Sequence, residues 1–284
     1  MSRNKDRVGA KNINADAPPT QVAKGTLEGF SFVVPTEFVD LPSQGRYYPE
    51  GHPLYGQDTI EIRQMTAKEE DILTSRTLLK KGIVLDRVLQ NIIVDKQIDA
   101  ENMLTGDRNA ILVAMRISGY GAIYETMVSC PSCGEKQDHK FDLSELVPFH
   151  GDKGDDLDIV NNGDGTFNIV LPQTELNVRF RLLTGYDETA LANSRQSDRK
   201  RKIEEKNVTS QLNKILVSVN DNTSLEAKKF LIENIPSVDS RHLRLAFSLI
   251  CPNIDLTHSF DCQECEFVQE MEVPLTADFF WPER

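Results

Sequence analysis

The sequence predicts an α+β fold built from two pseudo-repeats of strand–helices–β-knuckle, joined at one shared four-cysteine, zinc-ribbon-like site. Three observations carry this. Two Cys-x-x-Cys pairs, Cys130/Cys133 and Cys262/Cys265, each stand between strand-like arms. Residues 107–145 align with 239–277 at a constant offset of 132, without a gap. Two capping signals, Thr66/Glu69 and Thr184/Asp187, each follow a strand pattern. In such a box the two side chains satisfy the backbone donors left over at a helix start.

Residues 1–37 read as a disordered N-terminal arm, polar and carrying Pro18-Pro19, with no helical or strand period up to about residue 30. Residues 38–150 read as the first repeat with its knuckle. From Leu41 to Gly51, Pro and Gly alternate with apolar and aromatic residues, which suits an extended segment with tight turns. Thr59 to Met65 alternates as a strand and runs into the Thr66 box. Val84, Val88, Leu89 and Ile92 share one helical face. Gly106-Asp107 opens a third helix, with Asp107 as its expected cap. Gly119-Tyr120-Gly121 ends that helix, and strand-like residues lead into Cys130.

Residues 151–284 read as an acidic linker, a hairpin and the second repeat with its knuckle. Gly151–Asp158 is acidic and Gly-rich, and Asn162-Gly163-Asp164-Gly165 is a turn between two short strands. Asn177–Leu183 is another strand; helical patterns follow at Val208–Val217, Thr223–Ile232 and Arg241–Ile250. Leu243, Ala246, Phe247 and Ile250 fall on one face of the last.

The repeat rests on pattern and order, since identities are sparse. Asp107 falls on Asp239, Ala114 on Ala246, Met115 on Phe247, and each cysteine on its counterpart. Phe141, Leu143 and Ser144 fall on Val273, Leu275 and Thr276; Leu41-Pro42 corresponds to Leu171-Pro172. Ile60–Glu69 corresponds to Val178–Asp187. A duplication would give two halves sharing one metal.

Zinc takes four ligands in a tetrahedron, and a Cys-x-x-Cys turn brings two thiolates to one ion. Cys130, Cys133, Cys262 and Cys265 are therefore expected to hold a structural Zn2+ in a closed shell with no open position for water or substrate. An iron–sulfur cluster uses the same four thiolates. A redox role fits less well, because neither pair opens a helix after a strand. Cys251 follows an apolar helix face and reads as a small buried hydrophobe; His139 and His258 read as surface or supporting residues beside the filled shell.

Composition narrows the function. The net charge of −12 argues against broad duplex binding, which draws on excess Lys and Arg. No apolar run approaches the roughly 20 residues of a membrane helix. The opening MSRNKDRVGAKN lacks the apolar stretch of a secretory signal, so a reducing cytoplasm is expected. No phosphate loop or catalytic signature appears; Gly163-Asp164-Gly165 is a turn, not a dinucleotide fingerprint. The basic run Arg195, Arg199, Lys200, Arg201 and Lys202 reads as a solvated helix or loop, since Glu204 and Glu205 follow at once.

Several segments together resemble the T-even-type phage baseplate hub protein family. They are Leu41-Pro-Ser-Gln-Gly-Arg-Tyr-Tyr-Pro49, Ile62-Arg-Gln-Met-Thr66 with Glu69-Glu70, and Leu104-Thr-Gly-Asp-Arg108. Ala114-Met-Arg-Ile-Ser-Gly-Tyr-Gly121 and Cys130-Pro-Ser-Cys-Gly134 complete the set, which covers residues 38–147. The second half keeps the knuckle but replaces Gly-Asp-Arg and Tyr-Gly. The resemblance implies a non-enzymatic structural or assembly protein of the central hub of a contractile tail. It implies hub or tail-tube proteins as partners, no membrane and no small-molecule substrate. It also implies assembly in the bacterial host cytoplasm and a place in the virion baseplate if the chain is retained. Leu41, Arg46, Tyr47 and Tyr48 are the expected partner contacts. The alternative is a zinc-ribbon nucleic-acid-binding protein; the acidic second hairpin, with Glu264, Glu266, Glu270 and Glu272, argues against it.

Overall fold

The computed structural model describes residues 24–27, 30–204, 206–273 and 277–280. Of the expected disordered arm, residues 1–23 and 28–29 lie outside these. The described part pairs as an antiparallel hairpin of β1 (Lys24–Leu27) and β2 (Phe30–Val33). Phe30-Ser31-Phe32 has the strand alternation that the polarity of the preceding residues hides.

The first half opens with β3 (Thr36–Asp40) paired antiparallel with β4 (Thr59–Arg63). The loop between them folds back through Gly45, at φ 67°, where a Cβ would lie 2.4 Å from the Gln57 amide nitrogen. Only glycine fits that approach. The Thr66 box then starts α1 (Ala67–Thr74), followed by α2 (Arg76–Lys81) and α3 (Val84–Ile92). All four predicted stripe residues of α3 are buried. The next helix, α4 (Thr105–Tyr120), stops at Gly121, and β5 (Ile123–Ser129) and β6 (Lys136–Asp142) form the first knuckle hairpin. A short strand, β7 (Val147–Phe149), follows.

The second half begins with β8 (Val160–Asn161), β9 (Thr166–Val170) and β10 (Asn177–Arg181). The Thr184 box starts α5 (Gly185–Arg201), and α6 (Asn207–Ile215) follows. The predicted helix to Val217 stops early. Leu216–Val219 is a strand, β11, that pairs with β10 and completes a sheet of order β11-β10-β9-β8. A β-branched pair, Val217 and Val219, beside an open sheet edge favours the strand. Then come α7 (Leu225–Asn234), α8 (Ser237–Ile250), β12 (Asn253–Asp255) and the second knuckle hairpin, β13 (Thr257–Asp261) and β14 (Val268–Glu272).

Local devices recur. Arg63 reaches Glu69 at 2.6 Å beside Thr66, and Arg181 reaches Asp187 at 2.7 Å beside Thr184. Asp107 is not the cap of α4; it sits inside the first turn, fully buried, and accepts from the Ser43 amide and hydroxyl. Asp239, in the first turn of α8, accepts from the amides of Gln173 and Thr174 and from the Thr174 hydroxyl. Both acids tie down the loop that follows a Leu-Pro pair, near a helix N-terminus that favours negative charge. The counterparts Leu275 and Thr276 lie outside the described residues.

The halves interlock over one continuous core. β12 pairs with β7, so a strand of each half shares a two-stranded sheet. Gly106 lets α4 press on the chain at Pro252, whose carbonyl oxygen would lie 1.8 Å from an added Cβ. The Thr105 amide donates to Leu183 and the Gly185 amide to Met103. Arg108 is buried at this junction against Asp86 and donates to the Ala100 carbonyl. The acidic Gly151–Asp158 segment is docked rather than loose: the Lys153 amide donates to Leu249, and Gly151 lies tight against Ile250.

Candidate metal centre

The knuckles are two equivalent tight turns. In the first, Cys130 N donates to Glu135 O and Gly134 N to Cys130 O. In the second, Cys262 N donates to Phe267 O and Glu266 N to Cys262 O. Both turns need a left-handed residue at the same place, Gly134 at φ 78° and Glu266 at φ 55°. Glycine adopts this at no steric cost, whereas the glutamate is strained by about 1 kcal/mol or more.

The hairpins are clamped together by Gln137 of β6. Its side-chain amide donates to Asp261 O at 2.8 Å and accepts from the Gln263 amide at 3.0 Å. Nothing in the sequence flagged Gln137, because its partners lie more than a hundred residues away.

All four sulfurs lie within 4.8 Å of one another, with Cys130–Cys265 and Cys133–Cys262 each at 3.7 Å. The thiols are free, and a disulfide would need about 2.05 Å. Four thiolates at about 2.3 Å around one tetrahedral ion lie about 3.8 Å from each other, so the observed spacing fits such an ion. Cys130 and Cys262 are buried, and Cys133 and Cys265 face solvent. Burial opposes ionisation of Cys130, but the amides of Cys133 and Ser132 outweigh it and hold the thiol down at about 6. Cys133 is pushed up to about 12: the Glu135 amide favours its thiolate, while burial and the three neighbouring thiols oppose it. Cys130 thus ionises readily while Cys133 resists. Among the described residues this is the one cluster with metal-ligand geometry.

His139 and His258 stay outside the sulfur set. Their rings lie 5.7 Å apart and pack on Phe141 and Phe260 in the seam between hairpins. Cys251 is half-buried, and burial pushes its thiol up to about 12.

The expected contact segment turns inward. Leu41, Tyr47 and Tyr48 are buried, and Arg46 is exposed. The Tyr48 hydroxyl donates to Asp107 at 2.8 Å and accepts from the Leu104 amide at 3.0 Å, and its ring stacks on His52. The Tyr47 hydroxyl donates to Gly151 O at 2.8 Å and its ring meets Phe167, so it joins the two halves. Buried tyrosines need a partner for the hydroxyl, and both have one. Arg46 donates to His150 O and its guanidinium lies over the Tyr47 ring. The basic run lies on the solvated end of α5 and just beyond it, with every one of its cations exposed. No described helix is long and apolar enough to cross a membrane.

No curated protein and no solved structure matches the chain. A family model does, and its match spans both halves and both knuckles, well past the first-half motifs. That family is described as T4 bacteriophage base plate protein; its model matches residues 34–281, and the chain belongs to it.

Proposed function

We propose that this baseplate protein is a non-enzymatic structural or assembly component of the central hub, and that Cys130, Cys133, Cys262 and Cys265 hold a structural zinc. The family match carries the baseplate role, and the sulfur geometry supports the metal. Four thiolates would fill a tetrahedral shell, leaving the ion no position for substrate. The ion would supply a cross-link between hairpins that Gln137 already aligns.

We also read residues 38–147 and 168–279 as pseudo-repeats. The paired Arg–acid capping boxes, the paired Asp107 and Asp239 loop ties and the equivalent knuckle turns support this. Hub or tail-tube proteins are the proposed partners, met in the host cytoplasm during assembly. Of the four expected contacts Arg46 is the exposed one, while Leu41, Tyr47 and Tyr48 would shape the contact from within. The acidic second hairpin disfavours the nucleic-acid reading.

The test is a phage lacking this gene. The hub reading expects heads and free tail parts but few complete tails, with rescue by the wild-type chain. Normal complete tails in its absence would overturn it.

A further inference from the structure

The outer end of α5 carries a cluster of solvent-exposed side chains. Ala192–Gln196 are all exposed, as are Lys200, Arg201, Lys202 and the apolar Ile203 just beyond. The helix is polar on every side, and such a helix either bridges to another body or is held by its own charge pairs. The macrodipole accounts for cations in the last turn. It does not account for an exposed Ile203 beside them, nor for Lys206, which stands in front of the next helix with its charge in solvent.

The same chain carries the complement. Between Arg244 and Arg284 the sequence has no Lys or Arg, yet it has Asp255, Asp261, Glu264, Glu266, Glu270 and Glu272 on and around the second knuckle hairpin. All six are exposed. On β14 the outward face reads Val268, Glu270, Glu272, one 62% exposed apolar side chain followed by two carboxylates. Across the register stand Ser259 and Thr257, which add no positive charge. None of the carboxylates Asp255, Glu264, Glu266, Glu270 and Glu272 pairs with a cation among the described residues. A tip of three cations and one aliphatic side chain, edged by the exposed Glu204, thus matches an anionic strand face with one aliphatic side chain.

We propose that the Lys200–Ile203 end of α5 docks on the outward face of β14, Val268–Glu272, of a second copy of this chain. The contact is head-to-tail, so it uses two different patches and propagates into a ring or an open chain. A protein of net charge −12 repels its own copies except through such a patch. This goes beyond the hub reading and does not depend on it.

Sedimentation of the full chain tests the proposal. Wild-type protein should associate with rising concentration at about 0.05 M salt and weaken about tenfold or more at about 0.5 M. The variants K200E/R201E/K202E and E270K/E272K should each stay at the 32.0 kDa monomer. Mixed together they should associate again, because each restores a complementary pair in trans. Unchanged melting curves for both variants separate a docking defect from misfolding; if either variant melts early, K200Q/R201Q/K202Q and E270Q/E272Q replace them and should weaken association in the same direction. A wild-type chain that stays monomeric at low salt would overturn the proposal. So would association indifferent to both charge reversals, or a monomer that uses this tip to bind duplex DNA instead.

Discussion

Glu69 acts as a capping residue and as an ion-pair partner at once. Its carboxylate accepts from the Thr66 amide and hydroxyl and from Arg63, and it is fully buried. Burial alone would raise its pKa; the bonds from Arg63 and Thr66 outweigh this and bring it from 4.5 to about 2. The folded value is depressed, so the stability it lends is present above pH 4.5 and is lost as pH falls toward about 2. That contribution is about 3 kcal/mol at neutral pH. Glu69→Gln keeps the capping geometry and removes the charge. In urea unfolding, wild type should lose its advantage over this variant between pH 5 and pH 2.5, and a constant difference would refute the assignment. Tyr48 makes a second test. Tyr48→Phe leaves the Leu104 amide without its partner in a buried site and removes one of the two donors to Asp107 Oδ2, at a cost of about 1–3 kcal/mol. A melting temperature equal to wild type would show that another group, such as water, replaces the hydroxyl.

At the scale of elements, legibility tracks the range of the signal. The capping boxes, the α3 stripe and both knuckles are local patterns, and the sequence names their residues. Asp107 is misread as a cap because its partners, Ser43 and Tyr48, lie about sixty residues away. The strand β11 is misread as helix because its β-branched residues settle into a strand only beside the distant edge of β10. Gln137 and Arg108 carry no motif; their roles exist only once distant elements meet. The inward turn of Tyr47 and Tyr48 is hidden for the same reason, since composition cannot tell an aromatic anchor from a buried one. The crossing of α4 over the Pro252 chain rests on Gly106 in a comparable way. Gly106→Ala would drive a methyl into the Pro252 carbonyl, forcing backbone apart at a cost of about 2 kcal/mol or more. A lowered melting temperature with a single transition is expected, because α4 and β12 belong to one core.

For the whole molecule, the sulfur cluster joins the tips of two hairpins, and the halves also interlock through the β7–β12 pair, Gly106 and the Tyr47 link. A metal there would add a cross-link at the hairpin tips, while the shared core sets the arrangement. Apparent zinc binding by such thiolate sites is worth about 10–16 kcal/mol in small domains, so removing the ion should be felt throughout a cooperative fold. The most direct test is elemental analysis of the purified full-length chain, paired with thermal unfolding before and after chelation. The account predicts one zinc per chain, lost in Cys130→Ser and Cys262→Ser, with a lower melting temperature in each metal-free form. Protein that contains no metal and melts at the same temperature with all four thiols intact or replaced would contradict it.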